Sequence, residues 1–122
     1  MHTPASDQPL RKLTFNEVME LCAELARKLK AKTDIRKLVG VPRNGMILAG
    51  LIAHCDPDFK AQLYWDECIV IDDIHDSGET LEPFKEDFTA TLFYRQKPIE
   101  ATPTVWVETI ADNTWVVFPW EK

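Results

Sequence analysis

The chain has 122 residues, 45% of them apolar and 28% charged, which bounds it to one globular domain with a real core. Fourteen Lys and Arg against twenty Asp and Glu leave a net charge of −6, so no nucleic-acid partner is expected. No apolar run approaches the roughly 20 residues of a membrane span, and MHTPASDQPLRK lacks the apolar centre of a signal peptide; no membrane association and a cytoplasmic location are expected.

Residues 1–12 are polar and carry Pro4 and Pro9, so they read as a flexible tail before a single domain over 13–122. Thr14-Phe15-Asn16-Glu17 is a capping-box pattern, and Val18, Leu21, Cys22, Leu25 and Leu29 follow at helical spacing. A helix over 15–30 is predicted, with Arg27, Lys28 and Lys30 near its C-terminal end. Lys37 to Val41 is short and β-branched, and Pro42-Arg43-Asn44-Gly45 leads from it into a predicted helix from Met46 to His54. Asp56-Pro57-Asp58 reads as a turn and Phe59 to Trp65 as a strand. Cys68 to Ile71 is apolar without alternation, as expected of a strand covered on both faces. A helix is predicted from Thr80 to Phe88, with Pro83 tolerable only in its first turn, then strands from Thr89 to Tyr94 and Thr104 to Glu108. The three cysteines, Cys22, Cys55 and Cys68, show no C-x-x-C spacing, which argues against a disulfide framework or a structural zinc site.

Strands alternating with helices predict an α/β fold with a mostly parallel sheet. Ligands of such sheets bind at the carboxyl ends of the strands, where the loops after Val41 and Ile71 should meet. The second of these loops is unusually acidic: Cys68-Ile-Val-Ile-Asp72-Asp73-Ile-His-Asp76-Ser77-Gly78-Glu79-Thr80. Carboxylates at a strand end can accept hydrogen bonds from sugar hydroxyls or hold a divalent cation through water. A small-residue turn leading into a helix offers amides and hydroxyls to a phosphate.

CIVIDDIHDSGET resembles the phosphoribosyl-pyrophosphate motif of the type I phosphoribosyltransferases. Val39 to Gly45 looks like that family's pyrophosphate loop, and Asn113 to Glu121 is similar to the C-terminal segment of its xanthine–guanine members. The resemblance implies that Asp72 and Asp73 engage the ribose hydroxyls, directly or through Mg2+ bound by way of water. It places the 5-phosphate on Asp76, Ser77, Gly78, Glu79 and Thr80, with Asp76 also managing the proton of a purine ring nitrogen. Arg43 would bind the leaving pyrophosphate, with Asn44 and Gly45 in the same loop. Trp115 would stack on the base, the Val116 backbone would read its edge, and Arg95, or Lys97, would reach the exocyclic oxygen of a 6-oxopurine. The implied protein is a magnesium-dependent purine phosphoribosyltransferase, a homodimer or larger. Its alternative is a phosphoribosyl-pyrophosphate or nucleotide-binding module with little or no turnover.

The chain departs from the family pattern in one large respect. Only Cys55 to Glu67 separates the second helix from the motif strand, so the long loop that covers the reacting centre is reduced. Pro42 and Asn44 also stand where related loops carry a small hydroxyl residue and a glycine. Other residues have plainer readings: His54 and Cys55 as structural, His75 as a spacer, Phe118 and Trp120 as core or dimer surface.

Overall fold

The computed structural model describes residues 8–75, 87–95, 103–111 and 113–121. Its first helix, α1 (Phe15–Lys32), starts where the sequence says it must. The Thr14 hydroxyl accepts from the Glu17 amide at 3.1 Å, and the Glu17 carboxylate accepts from the Thr14 amide at 3.0 Å. One face buries Val18, Leu21, Cys22, Leu25, Ala26 and Leu29, each large aliphatic side chain contributing about 1.5–3 kcal/mol on full burial.

Five parallel strands form the main sheet: β2 (Lys37–Gly40), β3 (Lys60–Ala61), β4 (Ile69–His75), β5 (Phe88–Arg95) and β6 (Val105–Ile110), in the order β3-β2-β4-β5-β6. Consecutive residues Leu38 and Val39 on β2, and Ile69, Val70 and Ile71 on β4, are all buried. Successive strand residues point to opposite faces, so both faces of the sheet centre are covered. Helix α2 (Asn44–Cys55) packs against β2, β3 and β4, and α1 against α2, β5 and β6. The two helices also pack on each other and, with the sheet, enclose one core. No helix is long and apolar enough to cross a membrane among the described residues.

Four sequence expectations change. The tail does not extend to residue 12: β1 (Leu10–Lys12) pairs in parallel with β7 (Trp115–Val117), in the register Leu10↔Trp115 to Lys12↔Val117. The partner strand supplies the order that Leu-Arg-Lys does not signal by itself. Arg11 strengthens the attachment, since its guanidinium pairs with Glu108 on β6 and lies 5.2 Å from the centre of the Phe93 ring. The strand expected over 59–65 contracts to Lys60–Ala61. The Gln62 side-chain amide folds the following chain back by donating to the carbonyls of Tyr64 (2.9 Å) and Asp66 (3.2 Å), leaving Leu63, Tyr64 and Trp65 exposed. Strand β4 runs past the apolar core to His75, so Asp72 and Asp73 lie within it. Phe88 opens β5 instead of closing a helix; the rest of that expected helix, residues 80–86, lies outside the described residues.

Candidate functional site

Two glycines create the site by letting three backbones meet. A Cβ at Gly40, the last residue of β2, would lie 2.2 Å from the Gly45 carbonyl oxygen and 2.4 Å from the Met46 Cα. A Cβ at Gly45, in the first turn of α2, would lie 2.3 Å from the Ile71 carbonyl oxygen and 3.2 Å from the Asp72 Cα. Only the absence of side chains lets the start of α2 sit against the ends of β2 and β4. The Val41 amide then donates to the Ile71 carbonyl at 2.8 Å, joining the two loops at their roots.

This contact puts Arg43 and Asn44 beside Asp72 and Asp73. Arg43 is the N-cap residue of α2, and its own side chain is exposed. The peptide bond joining Pro42 to Arg43 is cis. Arg43 makes no side-chain capping bond and no acidic residue stands in the first turn, so the positive end of the helix adjoins a residue of fixed positive charge. That combination suits a phosphorylated anion. The Asn44 side-chain amide donates to Asp73 Oδ2 at 2.9 Å, while its carbonyl oxygen accepts from the Trp120 indole at 2.9 Å.

Asp72 and Asp73 differ sharply in environment. Asp72 is 7% exposed, with one oxygen accepting from the Asp73 amide at 2.9 Å. Asp73 is half-buried and also accepts from the Ile74 amide at 2.8 Å. Burial first, and the neighbouring Asp73 charge second, push the Asp72 carboxyl up to about 8. A buried acid of this kind favours the folded state when protonated. Its contribution is fully present below the unfolded carboxylate range and is lost as pH rises toward about 8. Asp72→Asn should therefore stabilise the ligand-free protein, with little gain in Tm near pH 4 and about 5 °C or more near pH 8. Thermal melts across that range check it, and equal gains at both ends would refute the assignment.

The donor set fits magnesium in one mode. Among the described residues no three His, Cys, Asp or Glu side chains converge to hold a metal, so no all-protein cage exists there. A half-buried carboxylate, Asp73, with the buried Asp72 next to it, matches an ion that keeps its waters and shares the substrate's phosphates. A thiol nucleophile has no support: burial raises Cys22 to about 12 and pushes Cys55 and Cys68 up as well.

The remaining predicted residues fall into three groups. Asp76, Ser77, Gly78, Glu79 and Thr80, with Lys97, lie outside the described residues. Arg95 stands at the carboxyl end of β5 but points into the protein: it is 7% exposed and donates to the Thr114 carbonyl at 2.5 Å and the Ala111 carbonyl at 3.3 Å. In this structure it holds the turn that precedes β7. Trp115 and Val116 follow that turn on β7, both half-buried, with the Trp115 amide donating to the Pro9 carbonyl at 2.8 Å. Trp120, read from sequence as core or dimer surface, reaches the site through Asn44. The spacing of an aromatic near the C-terminus carries no signal for a hydrogen bond to a residue 76 positions earlier. A cavity of about 260 Å³ opens beside Gly40 and Pro42, but none of its lining residues is charged. It is not where the carboxylates sit.

No protein-family model and no curated protein matches the chain. Solved structures do match. A purine phosphoribosyltransferase from Pyrococcus horikoshii aligns over 93% of this chain and 95% of its own, with 24% identity and a TM-score of 0.74. A Neisseria gonorrhoeae protein holding ppGpp aligns over 97% and 92%, with 16% identity and a TM-score of 0.78. The Helicobacter pylori xanthine–guanine–hypoxanthine phosphoribosyltransferase aligns over 92% and 93%, with 20% identity and a TM-score of 0.72. The chain has the fold of the type I phosphoribosyltransferases.

Proposed function

We propose that the chain is a 6-oxopurine phosphoribosyltransferase, transferring the phosphoribosyl group of phosphoribosyl pyrophosphate to a purine base. The observation that carries this reading is the packing of Gly45 on Ile71, which sets Arg43 and an open helix end against the Asp72–Asp73 strand end. One loop offers positive charge to a pyrophosphate and the other offers carboxylates to a sugar. The motif residues Asp76 to Thr80 follow directly in the chain, where the 5-phosphate is to be held.

Arg43 receives the charge that develops as the bond from the anomeric carbon to pyrophosphate breaks with its electron pair. The purine ring nitrogen forms the new bond to that carbon, and its proton passes to Asp76. Asp73 orients the ribose through its diol, and Trp115 with the Val116 backbone holds the base in line. Bound Mg2+, held at Asp72 and Asp73 through water, would supply further neutralisation of the pyrophosphate charge.

A second reading is a phosphoribosyl-pyrophosphate or nucleotide-binding module. The short span between α2 and β4 favours it: Cys55 ends one and Ile69 begins the other, and β3 with the Gln62 turn fills most of the interval. The Neisseria gonorrhoeae structure with bound ppGpp also favours it. Against it stands the match to nearly the whole length of a purine phosphoribosyltransferase.

Incubation with phosphoribosyl pyrophosphate, Mg2+ and guanine, xanthine or hypoxanthine separates the two. Nucleotide and pyrophosphate in equal amounts, lost in Asp76→Asn, is the result expected of the enzyme. Ligand binding without product would assign the module instead.

A further inference from the structure

We propose that Trp120 is a positioning residue for the Asp73 carboxylate, acting through the side chain of Asn44. The indole Nε1–H lies 2.9 Å from Asn44 Oδ1, and Asn44 Nδ2 lies 2.9 Å from Asp73 Oδ2. Both distances are those of well-formed hydrogen bonds. An indole nitrogen can only donate, so it dictates which end of the Asn44 amide turns toward it. The other end, the NH2, is thereby committed to Asp73. With the amide reversed, two donors would oppose each other at Trp120 and a carbonyl oxygen would face a carboxylate.

The donor itself is held firmly. Trp120 stacks on Phe118, with centroids 5.1 Å apart and planes at 19°, and contacts Phe15 at 6.1 Å. Phe118 is 2% exposed and meets Phe93 of β5 edge-on at 6.3 Å. The C-terminal segment is thus tied to the sheet on one side and to the α2 N-terminus on the other. Asp73 Oδ1 is fixed separately by the Ile74 amide at 2.8 Å. Among the described residues, the two Asp73 oxygens thus have separate donors, Ile74 for Oδ1 and Asn44 for Oδ2.

The binding consequence rests on the proposed role of Asp73 with the ribose diol, whereas the hydrogen-bond relay can be tested without any ligand. Trp120→Phe keeps an aromatic ring on Phe118 and removes only the donor. By calorimetry with Mg2+ and phosphoribosyl pyrophosphate, it should weaken binding about 5–10-fold. Asn44→Ala should weaken binding at least as much, and the double variant should bind no more weakly than Asn44→Ala alone. Unchanged affinity in Trp120→Phe, or full additivity in the double variant, overturns the proposal.

NMR gives the second arm. The Asn44 side-chain amide protons should be resolved and slow to exchange in the wild type, and should lose both properties in Trp120→Phe. Solvent-like Asn44 amide protons in the wild type overturn the relay, even where Trp120→Phe fails to fold. Protected protons that lose protection in Trp120→Phe, in a protein that binds no phosphoribosyl pyrophosphate, uphold the relay and remove the functional reading instead.

Discussion

Alanine at Gly40 or Gly45 should unmake both the site and much of the stability, while alanine at Gly50 should be neutral or mildly stabilising. The contrast comes from what a new methyl group meets. At Gly40 the three nearest atoms, at 2.2–2.4 Å, all belong to the backbone of Gly45 and Met46. At Gly45 the nearest is the Ile71 carbonyl oxygen at 2.3 Å. Backbone cannot rotate out of the way as a side chain can, so the α2 N-terminus must move off the sheet. Overpacking costs typically about 1–3 kcal/mol, and both sites belong at or above the upper end. A loss of about 10 °C in Tm is expected for a chain of this size, together with loss of ligand binding. At Gly50, exposed within α2, a Cβ meets nothing within 4 Å, and Gly→Ala in a helix interior gains up to about 1 kcal/mol. Thermal melts of the three variants check the set; a tolerated Gly45→Ala would refute the close packing on which the site depends.

The second large effect is on turnover. Arg43→Ala should lower kcat/KM for phosphoribosyl pyrophosphate about 10²–10³-fold, as expected when one donor to a developing negative charge is removed. Tm should change little, because Arg43 is exposed and caps α2 without a side-chain hydrogen bond. Arg43→Lys should recover only part of the loss, since a point charge replaces a planar fork. A large fall in Tm with Arg43→Ala would mean that the residue is structural. An unchanged kcat/KM would remove it from the pyrophosphate site.

Much of this arrangement was legible in the sequence because local and long-range signals agree there. The Thr14–Glu17 capping box and its apolar stripe specify α1, and the unalternating Ile69-Val70-Ile71 specifies a strand covered on both faces. Asp72 and Asp73 follow the residue paired with the last of β2, and so lie beside the Asn44 loop as parallel-sheet topology requires. Three features were not legible, each for a physical reason. Leu10-Arg11-Lys12 has no pattern of its own, and becomes a strand only because Trp115–Val117, far away in the chain, supplies a hydrogen-bonded partner. Phe59 to Trp65 has strand-like composition, yet the Gln62 side chain captures two carbonyls and turns the chain after Ala61. Arg95, which the family resemblance sets against the base, donates to two backbone carbonyls of the turn before β7, an attachment that no sequence pattern announces. Side-chain competition for backbone groups leaves no trace in periodicity.

In the proposed enzyme, and in a module that binds phosphoribosyl pyrophosphate without turnover, β4 and the α2 loop together hold that ligand. Calorimetric titration with that ligand in Mg2+, on the wild type and on Asp73→Asn, tests it most directly. Saturable one-site binding that requires Mg2+ and weakens about tenfold or more in Asp73→Asn is the expected result. No saturable binding, or equal affinity in the two proteins, would contradict it.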